Sequence, residues 1–63
     1  MIKIKNESMY VKEKCVTLVS TTIRNKHGNI LRGCFEYVEN DKKSIKERLK
    51  YTHHTVMRWI GAE

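Results

Sequence analysis

The side chains able to do chemistry gather in the last third of the chain. Between Ser44 and Ile60 stand Lys46, Lys50, Tyr51, His53, His54 and Arg58. Cations with a tyrosine among them suit a phosphate-bearing ligand. Lysines meet phosphates without reading sequence, Arg58 is long enough to reach a guanine edge, and Tyr51 can stack on an unpaired base. Two more cations, Lys26 and Arg32, lie beside a turn signal upstream. Catalytic signals are thin. His27, His53, His54, Cys15 and Cys34 fall in no nucleophile motif, no Gly-rich phosphate loop and no zinc-ligand spacing. Neighbouring His53 and His54 point about 100° apart on a helix, so they do not chelate as an i, i+4 pair does. Glu36, Glu39 and Asp41 read as acids ahead of the positive end of a helix dipole, not as a cation site. The expectation is a non-enzyme with no metal and no cofactor.

The element that must present these cations has two readings. As one amphipathic helix, Ile45, Leu49, Thr52, Val56, Trp59 and Ile60 share a stripe roughly 100° wide, and Lys50, His54, Arg58, Glu47 and Tyr51 face away. As two helices broken at Lys50-Tyr51-Thr52, residues 44–60 resemble the helix-turn-helix of DNA-binding repressors and excisionases. Ile45, Leu49, Tyr51 and Val56 match the apolar spacing, Thr52 serves as an N-cap, and Thr55 to Ile60 forms the recognition helix. Lys46 and Lys50 stand where that motif favours a small residue and a glycine. The resemblance implies a Tyr51 in the core and His53, His54, Met57 and Arg58 in the groove. The exposure of Tyr51 therefore separates the readings. Asp41, or Ser44 with Glu47 as a capping box, starts the helix between 41 and 45, and Gly61 ends it.

Upstream, Cys15 to Ile23 is rich in β-branched residues and reads as a strand, and Ile30 to Val38 as its partner. Gly28 suits the left-handed position of a three-residue loop that pairs Asn25 with Asn29. Continued without interruption, that register sets Val19 opposite Phe35, Thr17 opposite Tyr37 and Ile23 opposite Leu31, an apolar face for the helix to cover. Thr22–Arg32, Ser20–Cys34 and Leu18–Glu36 make the polar face. Cys15 and Cys34 then lie on opposite faces and cannot bridge. Residues 1–8 read as a short strand or a frayed arm, with Asn6-Glu7-Ser8 as a turn before a returning strand at Met9-Tyr10-Val11-Lys12. The expected fold is α+β: a small antiparallel hairpin or three-stranded meander followed by a C-terminal helix. In topology this is similar to the sheets that read DNA in integrase arm-binding domains, which adds an outer sheet face with Thr22, Arg24 and Arg32 as a candidate surface.

Sixty-three residues bound this to a single small domain (1–63) with a thin core. No secretory signal and no apolar run long enough for a bilayer are present, so a cytoplasmic location, reduced thiols and no membrane partner are expected. Self-association, as a homodimer, is the remaining support for so small a fold. Lys+Arg 13 against Asp+Glu 7 leaves a net charge of +6. That surplus points to a polyanion. The expected function is a small basic nucleic-acid-binding protein, with DNA ahead of RNA. A phage or mobile-element DNA-binding regulator fits the Lys-, Ile- and Asn-rich, Pro-free composition. The alternative is a small inhibitor or antitoxin-like modulator of a host protein, which needs no motif and can use a free strand edge or Trp59 as its anchor.

Overall fold

The computed structural model describes residues 2–61. Met1, at the head of the expected N-terminal strand, and Ala62 and Glu63 lie outside the described residues. Three antiparallel strands, β1 (Lys3–Val11), β2 (Val16–Arg24) and β3 (Ile30–Glu39), form a meander in the order β1-β2-β3. A helix, α1 (Lys42–Trp59), follows and lies on one face of the sheet, mainly over β2 and β3. This is the α+β meander with a C-terminal helix that the sequence patterning predicts. No helix among the described residues is long and apolar enough to cross a membrane.

At three points the structure departs from an expectation or decides between two. The first concerns residues 6–8, which do not turn: β1 runs unbroken and pairs with β2 from Lys3↔Arg24 to Val11↔Val16. The chain reverses later, through a 3-10 turn over Lys12–Lys14. Cys15 closes that turn in the left-handed region (φ 54°), with its thiol 3.6 Å from the Lys12 carbonyl.

The second concerns α1, which is continuous. No turn interrupts it at Lys50-Tyr51-Thr52, and Tyr51 is 52% exposed. Of the two readings of this stretch, the one that forms is a single amphipathic helix over Lys42–Trp59.

The third is the register of the β2–β3 hairpin. Its loop forms as read. Asn25 N–H donates to the Asn29 carbonyl (3.1 Å), the Asn25 side chain accepts from the His27 amide, and Gly28 sits at φ 87°. Beyond Arg24↔Ile30, however, the next pair is Ile23↔Arg32, and Leu31 is left as a bulge. One extra residue moves every later β3 side chain to the other face. Phe35 and Tyr37 now pair with Ser20 and Leu18 on the side away from α1, while Arg32, Cys34, Glu36 and Val38 face the helix.

Two pairings make that polar inner face tolerable. The Arg32 guanidinium stacks 3.8 Å from the Trp59 ring centroid, and Glu36 takes an ion pair from Arg48 at 3.6 Å. Among the described residues the buried apolar ones are Val19, Ile23 and Val56, joined by fully buried Thr21, Thr22 and Thr52. Thr21 and Thr52 tie sheet to helix, their hydroxyls 2.8 Å apart. With so few apolar side chains buried, each matters. Val56→Ala is expected to cost about 2 kcal/mol, read as a lower urea midpoint with an unchanged slope. The register is checked by nuclear Overhauser contacts: Gly33 opposite Thr22 is expected, and Arg32 opposite Thr22 would restore the unbulged pairing.

Candidate functional site

Asp41 fixes where α1 begins. Its Oδ1 accepts from the Ser44 amide (2.8 Å), and the Ser44 hydroxyl donates to its Oδ2 (2.7 Å). These bonds, the backbone amide first, hold its carboxyl below the ordinary value of 3.8. A start at Lys42 places Lys42, Lys46 and Lys50 at i, i+4 and i+8, a row with about 6 Å of rise between members. The first turn holds two lysines, Lys42 and Lys43, and no acid. Cations at the positive end of the dipole oppose folding, so local stability does not explain them.

The row forms one wall of an open groove of about 660 Å³ between α1 and β1. Ile45 and Leu49 give it an apolar floor, and Asn6 of β1, His53 and His54 complete it. No carboxylate is among its lining residues, and the ion pairs seen among the described residues use none of its lysines. Asn6 is held in place from both sides. Its Oδ1 accepts from the Thr21 hydroxyl (2.6 Å), and its amide nitrogen lies 3.3 Å from His53 Nδ1. With the amide as donor, that contact needs an unprotonated Nδ1, so the neutral tautomer carries its proton on Nε2. The groove is thus anchored through Asn6 to the Thr21–Thr52 pair in the core.

Of the residues expected to meet a ligand, Lys46, Lys50, His53 and His54 are brought together here. The other four are placed elsewhere. Tyr51 lies roughly 140° around the helix from Lys46, with the Arg48 guanidinium 5.3 Å from its ring centroid. Arg58 is exposed outside the groove lining. Arg32 is taken up by Trp59, and Lys26 stands in the hairpin loop, at the end of the sheet toward which α1 runs. Sequence reasoning missed Lys42 and Asn6. The four-residue spacing extends back from Lys46 to Lys42, but a helix start anywhere from 41 to 45 leaves that residue undecided. Asn6 becomes visible only once β1 is seen as one strand.

Arg24, a candidate on the outer sheet face, is fully engaged. It donates to Thr22 Oγ1, the Gly28 carbonyl and Glu7 Oε1, at 3.2, 3.2 and 3.3 Å. Both cysteines are free thiols. Burial, then the Glu36 charge, pushes the Cys34 thiol up, which makes it a poor nucleophile.

Comparison with protein-family models, curated proteins and solved structures finds no match for this chain.

The cap makes a pH prediction. A carboxyl with a depressed folded value adds stability above its ordinary range and loses it as pH falls through the folded value. Asn caps as well but does not titrate. In thermal melts, the gap between the native chain and Asp41→Asn should therefore shrink as pH drops below 3.8. A gap that is constant with pH would show that the carboxylate charge contributes nothing at the cap.

Proposed function

We propose that this protein binds nucleic acid through the groove wall of α1, with Lys42, Lys46 and Lys50 on successive phosphates and His53 and His54 extending the contact. The observation that carries the reading is the row of three lysines over an apolar floor with no carboxylate lining it. A spacing of about 6 Å along the helix is close to that of neighbouring phosphates along a strand, so all three can engage one backbone at once. Contacts of this kind position a protein without reading bases. The affinity follows from counterion release, aided by the net charge of +6. DNA is the favoured ligand, and a DNA-binding regulator is the role that a domain of this size and charge fits.

The runner-up, an inhibitor of a host protein, draws on the free edge of β1, which pairs on one side with β2. An incoming strand can add there. The two readings separate by salt. A labelled mixed pool of DNA and RNA should shift at low salt and release steeply as salt rises. Lys46→Glu combined with Lys50→Glu should lower the slope of log affinity against log salt by about 2, while leaving the fold intact by circular dichroism. An unchanged slope in the double variant, or no shift with any nucleic acid at low salt, sinks the reading.

A further inference from the structure

We infer that the open face of the sheet, opposite α1, is a stacking platform for the unpaired bases of a single nucleic-acid strand. The inference shares its ligand class with the proposed function but stands on different residues.

The first observation is the inverted strand. The alternation of β3 marks Leu31, Phe35 and Tyr37 for a core, yet the bulge at Leu31 places Phe35 and Tyr37 on the outer face, 52% and 56% exposed. In exchange, Arg32 and Glu36 face the helix and need Trp59 and Arg48 as partners. Burying the aromatic face instead would have been the simpler way to stabilise a core this thin. Departures of this kind mark function more often than packing.

The second observation is how the rings are held. The outer edge of the Phe35 ring lies over Gly33: a Cβ there would fall 2.7 and 2.8 Å from two of its ring carbons, and 3.1 Å from the Thr22 methyl. Glycine at 33 therefore leaves room for the ring over the strand, where it stays 52% exposed. Tyr37 is two residues on, about 6.7 Å along the same strand. The Lys14 ammonium sits over its ring, 4.7 Å from the centroid. The ring face is thus already one that a cation seeks, and a stacked base would displace Lys14 toward the adjoining phosphate. Met9 and Leu18 extend the row across the sheet from Tyr37.

The third observation is charge. Around these rings the face carries Lys3, Lys5, Lys14 and Arg24 against Glu7 and Glu39, four cations to two acids, a net of +2. Like charge opposes closing this face against a second copy of the chain, and it suits a strand that brings both bases and phosphates. Two rings spaced along a strand, with cations beside them, are what a single strand needs; a duplex keeps its bases stacked on each other and offers them nothing.

The test compares an unstructured labelled oligonucleotide of about 12 residues with a perfectly paired hairpin duplex. Phe35→Leu and Tyr37→Leu keep apolar bulk and remove the ring. Each should weaken single-strand binding roughly tenfold, leave duplex binding unchanged, and leave the thermal midpoint close to that of the native chain. Tyrosine fluorescence should be quenched by the single strand and not by the duplex. Unchanged single-strand affinity in both variants, with Lys46→Glu and Lys50→Glu still abolishing it, overturns the platform and leaves the helix reading standing. Loss of all nucleic-acid binding in the native chain at low salt removes both. Sedimentation showing a native dimer that Phe35→Leu dissociates would give this face to a second copy and overturn the platform.

Discussion

Leu31 has no partner on β2, and that gap determines which half of β3 meets the helix. A strand alternates faces with a period of two, so a single unpaired residue exchanges them completely. The hairpin loop itself is conventional: the Asn25 side chain accepts from the amides of His27 and Asn29, and Gly28 takes the left-handed position. Were the ladder to continue from that loop without interruption, Phe35 and Tyr37 would lie under α1. The bulge sets Arg32, Cys34, Glu36 and Val38 there instead. The position of α1 over the sheet follows, because Trp59 must cover Arg32 and Arg48 must reach Glu36. With α1 held toward β2 and β3, the space beside β1 is left uncovered, and that space is the lysine groove.

The core that this arrangement leaves is unusual in its hydroxyls. Thr21 and Thr52 offer two protons to three short contacts: Thr21 with Asn6 Oδ1, Thr52 with the Leu49 carbonyl, and each with the other. Only two of the three can be hydrogen bonds at one instant, so the pair shares its protons between alternatives. No buried side-chain polar atom among the described residues is left without a partner. The cost of burying hydroxyls in place of methyls is therefore met by hydrogen bonds, at small net gain per bond. These bonds also give direction. Apolar contact alone would let α1 slide along the sheet, whereas the Thr21–Thr52 pair fixes its height, and Asn6 carries that position to His53 in the groove.

Much of this was legible in the residues. The β-branched run read from Cys15 forms as a strand from Val16, with Cys15 itself in the turn before it, and the left-handed Gly28, the Asp41 cap and the Ile45–Leu49–Thr52–Val56 stripe each state their structure locally and form as read. The continuity of α1 was legible only as one of two patterns, since a helix and a helix-turn-helix share Ile45, Leu49 and Val56 and differ only at Tyr51 and Thr52. The bulge was not legible. Hydrophobic alternation assumes that the apolar face of a strand is the buried one, and β3 breaks that assumption. The single hint was Gly33, a poor strand former that gains a role once Phe35 lies across it. For the site, the cation row on α1 could be read from its period, but its companion across the groove could not. Asn6 sits 47 positions away from His53, on a strand whose middle reads as a turn.

The two surfaces differ in what they can distinguish. The α1 row offers point charges at fixed spacing, which any phosphate backbone satisfies, so on the proposed reading it would supply affinity without selectivity. The sheet face offers rings, which a paired base cannot use because both its faces are already stacked. They lie on opposite sides of a molecule 13 Å thick along its shortest axis, so one straight duplex cannot touch both. On the proposed reading, a flexible strand would pass from the His53 end of the groove, beside Asn6, around the sheet edge at β1 to the outer face. Lys5 is on the outer side of that edge strand, where such a strand would cross. Contact with both faces would therefore select for chain flexibility itself, a property that separates single from double strands before any base is read.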